Sequence, residues 1–234
     1  MSEYRLRRAR EEDLPTLLRI LDGAVEWLAG RGTDQWQGAR WRAEELSPDL
    51  PTGCLRVAEI LPAAAATVGA SPVGGFGAVA GVALSPASTG VAASGASVAS
   101  GLRPAATAPA ATAGASPALG ASPVNRAAAA VAVGTMVLRD THPADLWLPA
   151  DDPGSALYLH HLAVDRAFAG RRVGSWLLDQ AAVEAGRRGK RFVRLDAWTT
   201  NTRLHDYYRG QGFRFVRVAG GTSGALFERA VSPP

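Results

Sequence analysis

The stretch Tyr158-Leu-His-His-Leu-Ala-Val-Asp-Arg-Ala-Phe-Ala-Gly-Arg-Arg-Val-Gly-Ser-Trp-Leu-Leu178 decides the reading of this chain. Leu157 to Val164 is short, apolar and rich in strand formers, and Asp165 to Arg172 turns abruptly polar and glycine-bearing, so a strand ends there. From Val173 onward Val173, Trp176, Leu177, Leu178, Ala181, Ala182 and Ala185 keep to one side at helical spacing, which predicts a helix starting near Arg172. The first amides of such a helix have no internal partner and lie at the positive end of its dipole, while Gly170 and Gly174 allow a close approach of ligand to backbone. Arg171 and Arg172 add forked, charged donors. Phosphate fits such a place. The plainer alternative is a strand-to-helix turn with two solvated arginines.

Downstream, Phe192 to Trp198 reads as a buried strand, Thr199 to Thr202 as a polar turn with a capping residue, and Arg203 to Arg209 as a short helix closed by Gly210 and Gly212. Ala169-Gly170-Arg171-Arg172-Val173-Gly174 after Leu162-Ala163-Val164, followed by Asn201, Tyr208 and Gly212-Phe213, resembles the GCN5-related N-acetyltransferase (GNAT) family. The first part is similar to that family's acetyl-CoA pyrophosphate loop and the second to its Asn-to-Tyr-to-Gly-Phe segment. Two places depart from it: the family loop usually begins with Gln or Arg and has Gly at its fourth position, where this chain has Ala169 and Arg172.

The resemblance implies an α/β (α+β) fold with a mixed, mostly antiparallel central sheet flanked by helices, and acetyl-CoA as acetyl donor. It implies a sheet that splays beside the Leu157–Val164 strand, so that backbone at Leu162, Ala163 and Val164 pairs with pantetheine. The loop residues Ala169, Gly170, Arg171, Arg172, Val173, Gly174 and Ser175 then hold the diphosphate, and Asn201 bonds the pantetheine or orders its turn. Tyr208 occupies the place of the tyrosine that protonates the departing thiolate; Tyr207, on another helical face, is expected in the core. For the base, Asp196 stands on the strand where some members carry a Glu, and His160 or His161 is the alternative. Since adjacent strand residues point to opposite faces, at most one of these histidines is expected to face the acceptor. A non-catalytic acyl-CoA-binding or partner-binding module of the same fold is the rival reading.

The rest of the chain sets limits. With Lys+Arg 25 against Asp+Glu 21 the net charge of +4 is too mild to demand nucleic acid, and the single cysteine, Cys54, rules out a disulfide framework or a zinc cluster built on cysteine. No metal site is read from the sequence. Met1 to Asp13 is charged and lacks the apolar core of a signal peptide, and the Gly/Ala/Val run from Val73 to Leu84 is too short to span a bilayer. A cytoplasmic protein without membrane or nucleic-acid partner is expected, acting on a small-molecule or peptide amine; a homodimer is compatible with the chain.

Tyr4 to Arg7 reads as an edge strand. Asp13 and Pro15 open a helix whose apolar stripe is Leu14, Leu17, Leu18, Leu21, Val25 and Leu28. Trp36 and Trp41 lie in a polar segment, Gly30 to Leu46, and are candidate walls for the acceptor, with packing of the loop on the sheet as the alternative. Leu55 to Ile60 and Val131 to Leu138 read as strands. Between them, Leu61 to Ala130 contains no Asp, Glu or Lys, only Arg103 and Arg126 as charges, and repeats Gly-Ala-Ser-Pro irregularly. Such side chains cannot bury enough surface to offset the entropy of ordering the backbone, so 61–130 is expected as a disordered insertion in a single domain made of 1–60 and 131–230, with 231–234 a frayed tail. If the flanking strands pair, the insertion begins and ends at one place and its closure cost grows only logarithmically with length. The Arg139–Ser155 segment is expected to be a loop carrying Trp147 beside the active site, and the Phe213–Val218 and Ala225–Arg229 runs a closing antiparallel hairpin.

Overall fold

The computed structural model describes residues 3–38, 40–61, 130–221 and 223–231. The expected insertion, but for its first and last residues, and the tail 232–234 lie outside the described residues. Among the described residues seven strands form one sheet: β1 (Tyr4–Arg8), β2 (Leu55–Ile60), β3 (Val131–Arg139), β4 (Ala156–Val164), β5 (Phe192–Ala197), β6 (Arg214–Val218) and β7 (Ala225–Ala230). Their order is β1-β2-β3-β4-β5-β7-β6. Only β4 and β5 run parallel; every other neighbouring pair is antiparallel. The one parallel pair is joined by a helical crossover, α4 (Val173–Arg187), as parallel neighbours require.

β1 is an edge strand, as its sequence indicates, and the last hairpin folds inward so that β7 rather than β6 pairs with β5. Ile60 pairs with Val131 across β2 and β3. The two ends of the 61–130 segment therefore meet at one point of the sheet, the condition under which a long connection costs little.

Helices cover both faces. The stripe Leu14, Leu17, Ile20, Leu21, Ala24, Val25 and Leu28 of α1 (Leu14–Ala29) packs with Leu55, Val57, Val137 and Ala163. On the other face, Leu157, Leu159, Leu162 and Val164 of β4 join Val173, Leu177, Leu178 and Ala181 of α4 and Leu204 and Tyr208 of α5 (Thr202–Gly210). Two one-turn helices, α2 (Ala43–Leu46) and α3 (Asp49–Thr52), lie between α1 and β2. Among the described residues no helix is long and apolar enough to cross a membrane.

Two irregularities of β4 interrupt the regular sheet. The first is a fork. β4 and β5 pair only at Ala156–Phe192, Leu157–Val193 and Tyr158–Arg194, although both strands continue. From Leu159 to Val164 the β5-facing edge of β4 has no strand partner, while its other edge stays on β3 as far as Val164. The second is a bulge. Thr135 pairs with Ala163 and Val137 with His160, two steps on β3 against three on β4, and His161 takes the left-handed φ of +50°.

Candidate functional site

The mouth of the fork is flanked by the loop that the sequence marks. Asp165 ends β4 and caps a 3₁₀ turn, Arg166–Phe168, by accepting from the Ala167 amide at 3.0 Å. Gly170 then takes φ +80° and Arg172 φ +59°, and α4 begins at Val173. A glycine at 170 meets its backbone requirement without strain, whereas Arg172 holds a conformation that L residues adopt at a cost. A cavity of about 360 Å³ opens here, lined by Arg166, Ala169, Gly170, Arg172, Gly174 and Ser175 among others. The two arginines of the loop part company. Arg172 lines the cavity, but the Arg171 guanidinium lies 5.8 Å from the Phe168 ring centroid and its carbonyl accepts from the Tyr4 hydroxyl. The cavity thus combines open helix-start amides, a glycine with free space around it and guanidinium donors, which is the chemistry of an anion site.

The opposite wall comes from α5. Asn201 caps this helix: its Oδ1 accepts from the Leu204 amide at 3.1 Å and its Nδ2 donates to Gln35 Oε1 at 2.7 Å. Both polar atoms of Asn201 are therefore engaged in ordering the turn and in tying it to the Gln35 loop. Tyr208 is fully buried against Phe213 and Phe227, and its hydroxyl has no hydrogen-bond partner among the described residues. Burial pushes its pKa well above the usual phenol value. Tyr207, expected in the core, is half-buried: it packs against the core cluster and also borders the cavity.

On the other side of the sheet the bulge corrects one expectation. Leu157, Leu159, Leu162 and Val164 all join the cluster with α4, so the extra residue leaves both histidines off that face. His160 Nδ1 lies 4.0 Å from Asp196 Oδ1, and His161 meets the Trp41 ring edge-on at 4.8 Å between centroids. The rule of opposite faces fails because a bulge inserts a residue without advancing the partner strand. Trp41 in turn contacts Trp36 edge-on at 5.5 Å. The candidate wall residues and the candidate bases therefore form one continuous group: Trp36, Trp41, His161, His160 and Asp196.

That group is dry. Burial lowers His160 to about 3 and His161 to about 4, and raises the Asp196 carboxyl well above the carboxylate range. His160 Nδ1, His161 Nδ1, Asp196 Oδ2 and Trp41 Nε1 all lack hydrogen-bond partners among the described residues. Buried polar atoms are normally satisfied, so a concentration of unsatisfied ones beside an open sheet edge is what a ligand or water site looks like from the protein side.

Trp147 does not belong to this site. It packs with Ala156, Tyr158 and Leu226 at the closed end of the fork, beneath the Arg194 guanidinium 4.6 Å from its ring centroid. Arg194 is buried, is bonded to Glu228 at 3.0 Å, and donates to the Asp151 carbonyl at 2.7 Å. The loop is drawn to this arginine rather than to the mouth of the fork.

Residues 124–213 match the model of the acetyltransferase (GNAT) family. A curated relative, the uncharacterized N-acetyltransferase YesJ of Bacillus subtilis (strain 168), is 34% identical over 82 residues. That stretch is 35% of this chain, and the chain spans 45% of the relative's length. Among solved structures, a GNAT-family acetyltransferase from Listeria monocytogenes 4b F2365 is similar with a TM-score of 0.57 at 19% identity, over 97% of this chain and 94% of that one. One from Streptococcus agalactiae 2603 gives 0.58 at 13% identity, over 97% and 95%. The PaiA N-acetyltransferase of Thermoplasma acidophilum, solved in complex with coenzyme A, gives 0.52 at 14% identity, over 98% and 99%. These likenesses concern the fold.

Proposed function

We propose that this chain, which carries a GNAT-family acetyltransferase segment at residues 124–213, moves an acetyl group from acetyl-CoA directly to a primary amine. The observation that carries this reading is the fork: β4 is unpaired on one edge from Leu159 to Val164, beside an anion cavity on one side and a buried histidine–carboxyl group on the other. The residues fit the donor. Backbone of Leu162, Ala163 and Val164 offers main-chain donors and acceptors to the pantetheine arm, and the loop from Ala169 to Ser175, with Arg172 foremost, holds the diphosphate. Acetyl-CoA, when bound, supplies a thioester carbonyl activated for attack by nitrogen.

The chain's own residues then have three tasks. Amides along the open edge stabilise negative charge on the carbonyl oxygen as the amine attacks. The amine gives up its proton at the His160–Asp196 pair, 4.0 Å apart, with Asp196 the first candidate for the base; burial disfavours charge on either group, so the bound acceptor must supply the polar contact that lets the pair take the proton. Tyr208 gives its hydroxyl proton to the departing thiolate, and its lack of any other partner leaves that proton available. Trp36 and Trp41, with His161, exclude water from the acceptor, a small-molecule or peptide amine. A cytoplasmic setting, where acetyl-CoA is present, agrees with this reading.

Calorimetric titration with acetyl-CoA tests the donor site, and turnover on a panel of amines tests the chemistry. The expected result is saturable binding that Arg171→Ala/Arg172→Ala weakens, and a Tyr208→Phe enzyme that binds normally but turns over far more slowly. Binding without turnover on any amine would favour a non-catalytic acyl-CoA-binding module; no binding by the folded protein refutes the donor site.

A further inference from the structure

Beyond Tyr158 and Arg194 the two strands of the fork have no ladder to fix their spacing, and on the α1 side another connection spans the gap. The loop after α1 is tied to the turn that follows β5: Thr200 Oγ1 donates to Asp34 Oδ1 at 2.5 Å, and Asn201 Nδ2 donates to Gln35 Oε1 at 2.7 Å. The next residue, Trp36, meets Trp41, and Trp41 meets His161 of β4. A continuous chain of contacts therefore crosses the mouth from the start of α5 to the open part of β4. Its central residues are buried: Gln35 is 1% exposed, Trp36 8% and Asn201 9%. Trp36 holds φ +58°, a left-handed conformation that costs an L residue energy and persists only where the surroundings fix it. The polar bonds of Asp34 and Gln35 on one side and the Trp41 indole on the other supply that fixing.

We propose, resting on the acetyl-transfer reading above, that Gln35 is a positioning residue, which through Asn201 holds the acceptor walls Trp36 and Trp41 in register with the helix that carries Tyr208. In this role Gln35 acts through Asn201 and needs no contact with either substrate. Its oxygen takes a proton of the Asn201 amide, which fixes the orientation of that amide, and the Asn201 oxygen in turn caps α5 at Leu204. Tyr208 lies two turns along the same helix. The acceptor side of the mouth and the proton donor for the thiolate are thus placed by one bond between side chains 166 residues apart. An apolar residue at position 35 breaks that bond and leaves the Asn201 N–H buried without its partner.

The test is Gln35→Met, which keeps the length of the side chain and removes its hydrogen-bonding atoms, beside Gln35→Met/Asn201→Ser, in which serine still caps α5 but no amide is left stranded. In Gln35→Met, kcat/KM for the amine is expected to fall about tenfold, the weight of one buried hydrogen bond, with Kd for acetyl-CoA within about twofold of wild type and a lower unfolding midpoint. The double variant is expected to recover the midpoint and not the turnover. An amine kcat/KM in Gln35→Met equal to that of wild type overturns the assignment. So does turnover that returns with the midpoint in the double variant, as a purely structural role requires, and so does a Kd for acetyl-CoA that rises as far as the amine kcat/KM falls, which would put the bond in the donor site. Wild-type protein that binds acetyl-CoA but acetylates no amine of the panel overturns the acetyl-transfer reading, and this assignment with it.

Discussion

Position 172 offers a test in which one side chain is asked about backbone energy alone. Arg172 sits at φ +59° and ψ +18° and is exposed. A left-handed conformation costs an L residue about 1–2 kcal/mol. Glycine escapes that cost but loses about 0.5–1 kcal/mol through its greater freedom in the unfolded chain. Arg172→Ala and Arg172→Gly both remove the guanidinium, so their difference isolates the backbone: glycine is expected to be the more stable by about 0.5–1 kcal/mol. For a domain of this size that is roughly 1–4 °C in the unfolding midpoint, measured by calorimetry or by urea denaturation. Both variants are expected to bind acetyl-CoA more weakly than wild type. An alanine variant as stable as the glycine variant would refute the reasoning, because it would mean that the turn carries no left-handed strain at this residue.

Two further outcomes concern buried charge. Glu228 is buried and receives both Arg194 and Arg214, so Glu228→Gln strands the Arg194 guanidinium and is expected to cost about 3 kcal/mol in urea unfolding, while replacing Arg194 and Glu228 together by Met and Leu restores most of it; equal losses in the single and double variants would argue against a stranded charge. The second is pH dependence. The folded pKa of His161, about 4, lies below its unfolded value of 6.5, chiefly through burial and then through the Arg139 charge, so the unfolded chain binds the extra proton and stability falls as pH drops from about 6.5 toward 4. His161→Asn, which suits the left-handed bulge, is expected to lose about 2 kcal/mol less than wild type between pH 7 and 4.5, read from paired unfolding curves; parallel curves would count against it.

Much of this was legible in the chain. The α4 start at Val173 follows directly from the polar break after Val164, and Asn201 declares itself as a cap because its short amide stands immediately before a helix whose first amides need an acceptor. The bulge was written more faintly. Leu157 and Leu159 are two apart but Leu159 and Leu162 are three apart, a stutter in the alternation that marks an extra residue, and reading His160 and His161 by strict alternation passed over it. The place of Trp147 was not legible, because it depends on a partner far along the chain, buried Arg194. Local periodicity states which side of a helix is apolar; it does not state what stands opposite.

The three residue pairs at the closed end of β4 and β5 make the sheet two leaves bound along a short spine. One leaf, β1 to β4, leads into the Ala169–Ser175 loop; the other, β5 to β7, carries between β5 and β6 the turn and helix that bear Asn201, Tyr207 and Tyr208. Whatever lies between the leaves is gripped by both at once. A small change in the angle at the spine would move the tyrosines relative to the loop by far more at the open end than at the bound end, much as a book's margin moves more than its gutter. The Arg194–Glu228 pair and the stacked Trp147 sit at that gutter. Buried at the closed end, they join the two leaves from which both walls of the candidate site project.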